Sequence, residues 1–198
     1  MLPAVTLITA TGSYSSPVGC KYLKVFLAGG GGGGAGGSGG GVNGTGGGPG
    51  MAAFAYYPPG TYNLTIGAGG AGGAIATAGS TGVGTIFDTA NVFDYAEAYP
   101  GGGGNIIAPQ NGVSAISLGL SFVGVVLANI PSQPGAAVSW DVSGNGGMNS
   151  LCPNGRGSYR VTTNLGGLTS VSSGGGGGGQ GSAGGAGGAG FVRVIAYF

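Results

Sequence analysis

The chain has 198 residues, of which 54 are glycine and 10 proline, about a third of the total and a proportion typical of low-complexity segments. Yet 41% of its residues are hydrophobic and only 5% charged, which excludes the charge-rich, core-poor composition of a disordered chain. The net charge of +1 comes from scattered Lys21, Lys24, Arg156, Arg160 and Arg193 against Asp88, Asp94, Glu97 and Asp141, so there is no basic stripe for nucleic acid. So weakly charged a surface suits a subunit covered by partners.

In chain order, the opening MLPAVTLITATG lacks the basic start and long apolar core of a secretory signal. KYLKVFLA follows, with Leu23, Val25 and Leu27 on one face of a strand and Tyr22, Lys24 and Phe26 on the other. Residues 29 to 41 then read GGGGGGAGGSGGG. MAAFAYYPPGTYNLTIG reads as a hairpin, with Pro59 and Gly60 at the two central positions of a type II turn. FDYAEAY, residues 93 to 99, is the most helix-like piece and too short to stand alone.

The stretch from about Thr85 to Val171 differs in composition. It holds all four acidic residues, Trp140 and five prolines, and reads as short strands (VSAISLGL, FVGVVLANI, AAVSWDVS, YRVTTNL) inserted between glycine-rich halves of a single domain spanning 1–198. Its apolar run from Val113 to Ile130 approaches the length of a membrane span, but Ile116, Leu118, Leu120 and Phe122 alternate with small residues at a strand period. At the C-terminus FVRVIAYF places Val192, Val194, Ala196 and Phe198 on one face and Phe191, Arg193, Ile195 and Tyr197 on the other. Cys20 and Cys152 lie far apart, form no metal pattern, and read as free buried thiols rather than a disulfide.

The glycine runs have four physical readings. A linker should join self-sufficient domains, but these runs abut strands 22 to 28 and 191 to 198. A phosphate loop lacks the lysine and hydroxyl that should follow it. Collagen lacks its proline, although AGGAGGAG keeps a period of three. The fourth is a packed bundle of polyproline II-shaped glycine helices, also called polyglycine II. Such a helix has three residues per turn and no internal hydrogen bonds, so each backbone group must pair with a neighbouring segment. The fold expected is therefore all-β, a small sandwich-like scaffold clamping packed polyglycine II segments, with almost no helix.

Three stretches carry a family resemblance. GSYSSPVGCKYLKVFLAGGGGGG, TYNLTIGAGGAGG and GGAGGAGFVRVIAYF resemble the opening, second strand and closing strand of the glycine-rich domain of phage tail-fibre and related virion proteins. The resemblance implies a structural virion protein, a bacteriophage capsid, tail or fibre subunit on the particle surface, with a contribution to host recognition. It implies other virion subunits as partners, in a homo-oligomer of three or more copies, and a host surface receptor. The alternative is a cellular extracellular adhesin or an ice-binding glycine bundle.

The chain has no histidine, which removes the usual general base and the commonest nitrogen metal ligand. Asp88, Asp94 and Glu97 lack the alternating oxygens of a calcium loop. No enzyme activity, cofactor, metal, nucleic acid or membrane is expected. The candidate contact residues are Tyr56, Tyr57, Tyr95, Tyr99 and Tyr159, amphipathic rings suited to a surface, with Arg156 in an Asn-Gly turn.

Overall fold

The computed structural model describes residues 2–38, 44–90, 95–106, 177–178 and 181–198, and the backbone of 129–130. These form two antiparallel sheets and, beyond one end of them, a bundle of extended glycine-rich segments. The first sheet contains β1 (Ala4–Ile8), β3 (Tyr22–Ala28), β4 (Ala52–Tyr57), β8 (Asn129–Ile130) and β9 (Phe191–Tyr197), in the order β1-β9-β3-β4-β8. The second contains β2 (Gly12–Ser15), β5 (Thr61–Thr65), β6 (Thr85–Phe87) and β7 (Ala96–Ala98), in that order. No helix occurs among the described residues.

The alternation in β3 and β9 decides which face turns inward. Leu23, Val25, Leu27, Val192, Val194 and Ala196 are buried, and they pack against Tyr62, Leu64, Phe87, Ala96 and Ala98 of the second sheet. Removal of this apolar surface from water, at about 25 cal/mol per Å², stabilises the sandwich. Cys20 is a buried free thiol at the edge of this core, its Sγ 3.3 Å from the carbonyl oxygen of Tyr22. Cys152 lies outside the described residues.

Three local expectations change. The segment 52–66 is not a hairpin: β4 pairs with β3 and β5 with β2, so Pro58–Gly60 crosses between the sheets. Gly60 has no positive φ, as a type II turn would need; its N–H donates to Ser16 Oγ at 2.9 Å and its carbonyl accepts from Ser16 N–H at 2.9 Å. Tyr62 Oη donates to Pro58 O at 2.6 Å, bracing the crossing. FDYAEAY supplies strand β7 rather than a helical turn, because Ala96 and Ala98 both face the core. Finally, AVTLI and GSYS are strands, β1 and β2, where no strand was expected.

The glycine segments continue the strands. From β3 the chain runs out through 29–37, and 44–50 returns into β4; β5 leads out through 67–74, and 77–84 returns into β6. From β7 the chain leaves through 101–105, while 177–178 and 182–190 precede β9. Thus β6, β7 and 101–105, within the compositionally distinct stretch, belong to the scaffold. The short strands expected at 113–171, including the apolar run from Val113, lie outside the described residues apart from β8.

Segment 29–37 is the axis of the bundle. Its N–H groups donate in strict rotation to three returning neighbours: Gly29 to Met51 O, Gly30 to Val83 O, Gly31 to Gly188 O, then Gly32 to Gly48 O, Gly33 to Ser80 O and Gly34 to Gly185 O. Ala35, Gly36 and Gly37 repeat the cycle on Thr45, Thr77 and Ser182, at 2.9 Å each. Its carbonyls accept from three outgoing neighbours, including Gly101 N–H on Gly30, Gly70 N–H on Gly31 and Gly178 N–H on Ala35. A partner that changes at each residue and recurs every third is the three-fold screw of polyglycine II.

The six neighbours also bond to one another around the axis. Gly48 donates to Gly102 O, Gly82 to Gly101 O, Val83 to Ala68 O, Gly187 to Gly70 O and Gly44 to Gly178 O. All of 29–37 is buried. Gly33 shows why the axis is glycine: a Cβ there would collide with the carbonyl oxygen of Ala71. In the outer segments the period of three puts one residue in three outward, so Ala68, Ala71, Ala74, Ala183, Ala186 and Ala189 are exposed while the intervening glycines touch their neighbours.

Candidate interaction surface

The face of the five-stranded sheet turned away from the core carries the mixed residues of β3, β4 and β9. Antiparallel pairing sets Lys24 beside Tyr56, Phe26 beside Phe54 and Arg193, and Tyr22 beside Tyr197. The Tyr22 and Tyr197 rings stack with centroids 4.6 Å apart and 10° between planes. Phe26 and Phe54 lie 5.8 Å apart, and Tyr56 meets Phe54 edge-on at 6.4 Å.

Both cations of this face lie over rings. Lys24 Nζ is 5.0 Å from the Phe26 centroid, 5.1 Å from Phe54 and 5.8 Å from Tyr56. Arg193 Cζ sits 4.5 Å from the Phe26 centroid, and Arg193 Nε is buried without a hydrogen-bond partner. Ring quadrupoles attract such cations, by about 0.5–2 kcal/mol each. The described carboxylates, Asp88 and Glu97, belong to the other sheet, at the end of β6 and in β7. The result is an aromatic platform with two cations held over its rings, and Tyr22 and Tyr56 about 40% exposed. Aromatic rings and arginine are the side chains that dominate protein contact surfaces.

Of the residues singled out from sequence, Tyr56 lies on this platform. Tyr57, one residue on, points the other way: it is half-buried and packs against the core, with its ring 4.8 Å from Phe87 and 5.3 Å from Tyr62. Tyr95 and Tyr99 flank β7 on the second sheet and are half-buried. Burial raises the Tyr99 pKa, with Glu97 and Tyr95 adding to it. Burial also raises the Glu97 pKa. Arg156 and Tyr159 lie outside the described residues.

The platform thus joins one sequence candidate to Tyr22, Lys24, Phe26, Phe54, Arg193 and Tyr197, which were not singled out. The available signal was the lone long cation on the mixed face of each of two strands that turn out to be neighbours. Among the described residues no three acidic or thiol side chains cluster as metal ligands, and no helix is long and apolar enough to cross a membrane. No protein-family model and no curated protein matches the chain.

Proposed function

We propose that this chain is a structural subunit of a virus particle, of a bacteriophage, in which the bundle is a rigid projecting element and the sandwich is its base. The observation that supports this reading is the axis 29–37, wholly buried and bonded on all sides by backbone. A rod closed by backbone hydrogen bonds holds loops apart at fixed positions, as a capsid, tail or fibre part must, and contains no histidine for acid-base chemistry. The resemblance of the three strand-and-glycine motifs to phage virion domains supplies the particle. Other virion subunits are its partners, and the aromatic platform, with Tyr56, is where a host surface receptor would be met.

Mass spectrometry of purified particles tests the reading. Detection in stoichiometric ratio to the major coat protein supports it, with many copies indicating a coat or tube and few copies a tip. Absence from every particle fraction overturns it.

A second reading draws on one observation. The outward alanines of 67–74 and 182–190 make regular rows of small side chains on two adjacent segments, a lattice that could order water or ice. Thermal hysteresis in solution would favour this ice-binding alternative, and its absence would remove it.

A further inference from the structure

The first sheet ends on β1, and nothing among the described residues lies beyond it. On its inner side β1 is held by β9, in the register Ala4 to Ala196, Val5 to Ile195, Thr6 to Val194, Leu7 to Arg193 and Ile8 to Val192. On its outer side the backbone N–H and C=O groups of Ala4–Ile8 make no hydrogen bond to the described protein. Val5 and Leu7 are each 63% exposed, and Ala4 and Thr6 are exposed on the opposite face. Natural edge strands are usually blunted by charge, proline or a bulge, because an open edge is a template for another strand. Ala4–Ile8 has none of these.

The sequence of this edge is self-complementary. Antiparallel pairing of two copies centred on Thr6 sets all five residues in register: Val5 faces Leu7 of the second copy, Ala4 faces Ile8, and Thr6 faces itself. Every cross-strand pair is then aliphatic on aliphatic or threonine on threonine, so side-chain contact adds to the backbone bonds along the whole strand. No charge on β1 opposes a second copy or selects a different partner. A two-fold contact of this kind is closed, since it uses on each copy the one edge of β1 that no described residue pairs with.

We infer that β1 is a homodimerisation edge: two copies pair their Ala4–Ile8 strands antiparallel about Thr6, joining the two five-stranded sheets into one. The contact also makes the outer face continuous, bringing Val5 and Leu7 of both copies together beside Ile195. It does not depend on the virion reading and holds for any role of the chain.

The test uses the full chain in sedimentation velocity over a concentration series. The wild type is expected to dimerise. Val5→Lys with Leu7→Lys sets lysine against lysine at both symmetry-related pairs and should weaken the dimer at least about tenfold, with an unchanged circular dichroism spectrum because both side chains are exposed. Val5→Lys with Leu7→Glu sets lysine against glutamate at the same two pairs and should restore the dimer. Independently, Thr6→Cys should form a disulfide-linked dimer under mild oxidation, since residues opposite one another in an antiparallel pair fall within disulfide reach. A monomeric wild type, a double-lysine variant that dimerises as the wild type does, or Thr6→Cys cross-linking no more than the wild type would each overturn the inference.

Discussion

The sandwich and the bundle are threaded by the same chain paths, yet their interiors are closed by different matter. Between the sheets, side chains such as Leu23, Leu64 and Phe87 fill a gap that in sheet packing is about 10 Å. Within two residues of the strand ends that gap disappears. Gly30 of the first sheet's continuation donates directly to Val83 O of the second's, and Gly190 to Gly67 O, both at 2.8–2.9 Å. Thr85 stands at the junction, fully buried, its Oγ1 accepting the Gly67 N–H at 3.0 Å. The sandwich is held by apolar surface removed from water, whereas the bundle is held by hydrogen bonds worth about 1 kcal/mol each, set against glycine's large ordering entropy. A backbone core therefore needs dense bonding and an anchored base, and the strands feeding six of its seven segments supply that anchor.

If the bundle interior is backbone, it should tolerate no added atom. Gly33→Val, which drives a side chain into the Ala71 carbonyl, is expected to cost about 4 kcal/mol or more, the range of exceptional lesions. Chemical denaturation or loss of soluble expression reads this out; a near-neutral result would mean that the segment is not packed. In the sandwich the opposite change should hurt. Leu23→Ala leaves a cavity in a fully buried site and should cost about 3 kcal/mol.

The second sheet's rim adds a smaller, pH-dependent effect. Burial raises the Glu97 pKa, so the folded state holds its proton more tightly than the unfolded state, and the stability linked to this group is present in acid and is lost as pH rises from the ordinary carboxylate pKa through the raised one. Glu97→Gln should flatten that decline, raise stability at neutral pH, and lower the Tyr99 phenol's pKa toward its ordinary value, seen by ultraviolet titration. Tyr14, Tyr62 and Tyr99 all have raised pKa values, chiefly from burial, so stability should fall again as pH rises past 10. The smallest effect belongs to the bundle's outer rows. Ala186→Val, exposed on its segment, should shift stability by no more than about 0.5 kcal/mol, and a large loss there would break the assignment of inner and outer positions.

Much of this division could be read in advance. Alternation in KYLKVFLA and FVRVIAYF placed the inward faces of β3 and β9 correctly, and glycine runs abutting strands pointed to packing rather than tethering. β1 and β2 were missed because short, exposed strands bury too little to show a clear pattern. The expected hairpin at Pro59–Gly60 failed because turn chemistry is local, while β4 and β5 each found a better partner in another strand. The aromatic platform was invisible for a related reason: Lys24 and Arg193 are far apart in the chain and come to lie over the same Phe26 ring only because β3 and β9 pair.

The sequence by itself determined the fold class, because alternation marks strands and uninterrupted glycine permits the close approach of backbones. It also carried the outward rows, since AGGAGGAG states the three-residue period directly. Only the tertiary structure decided which segment is the axis. Each of the glycine runs has the conformational freedom to be central, but among the described residues only 29–37, leaving from the middle strand of the first sheet, has neighbours on every side. Backbone hydrogen-bonding groups are identical along the chain, so their partners are chosen by where the strands deliver them.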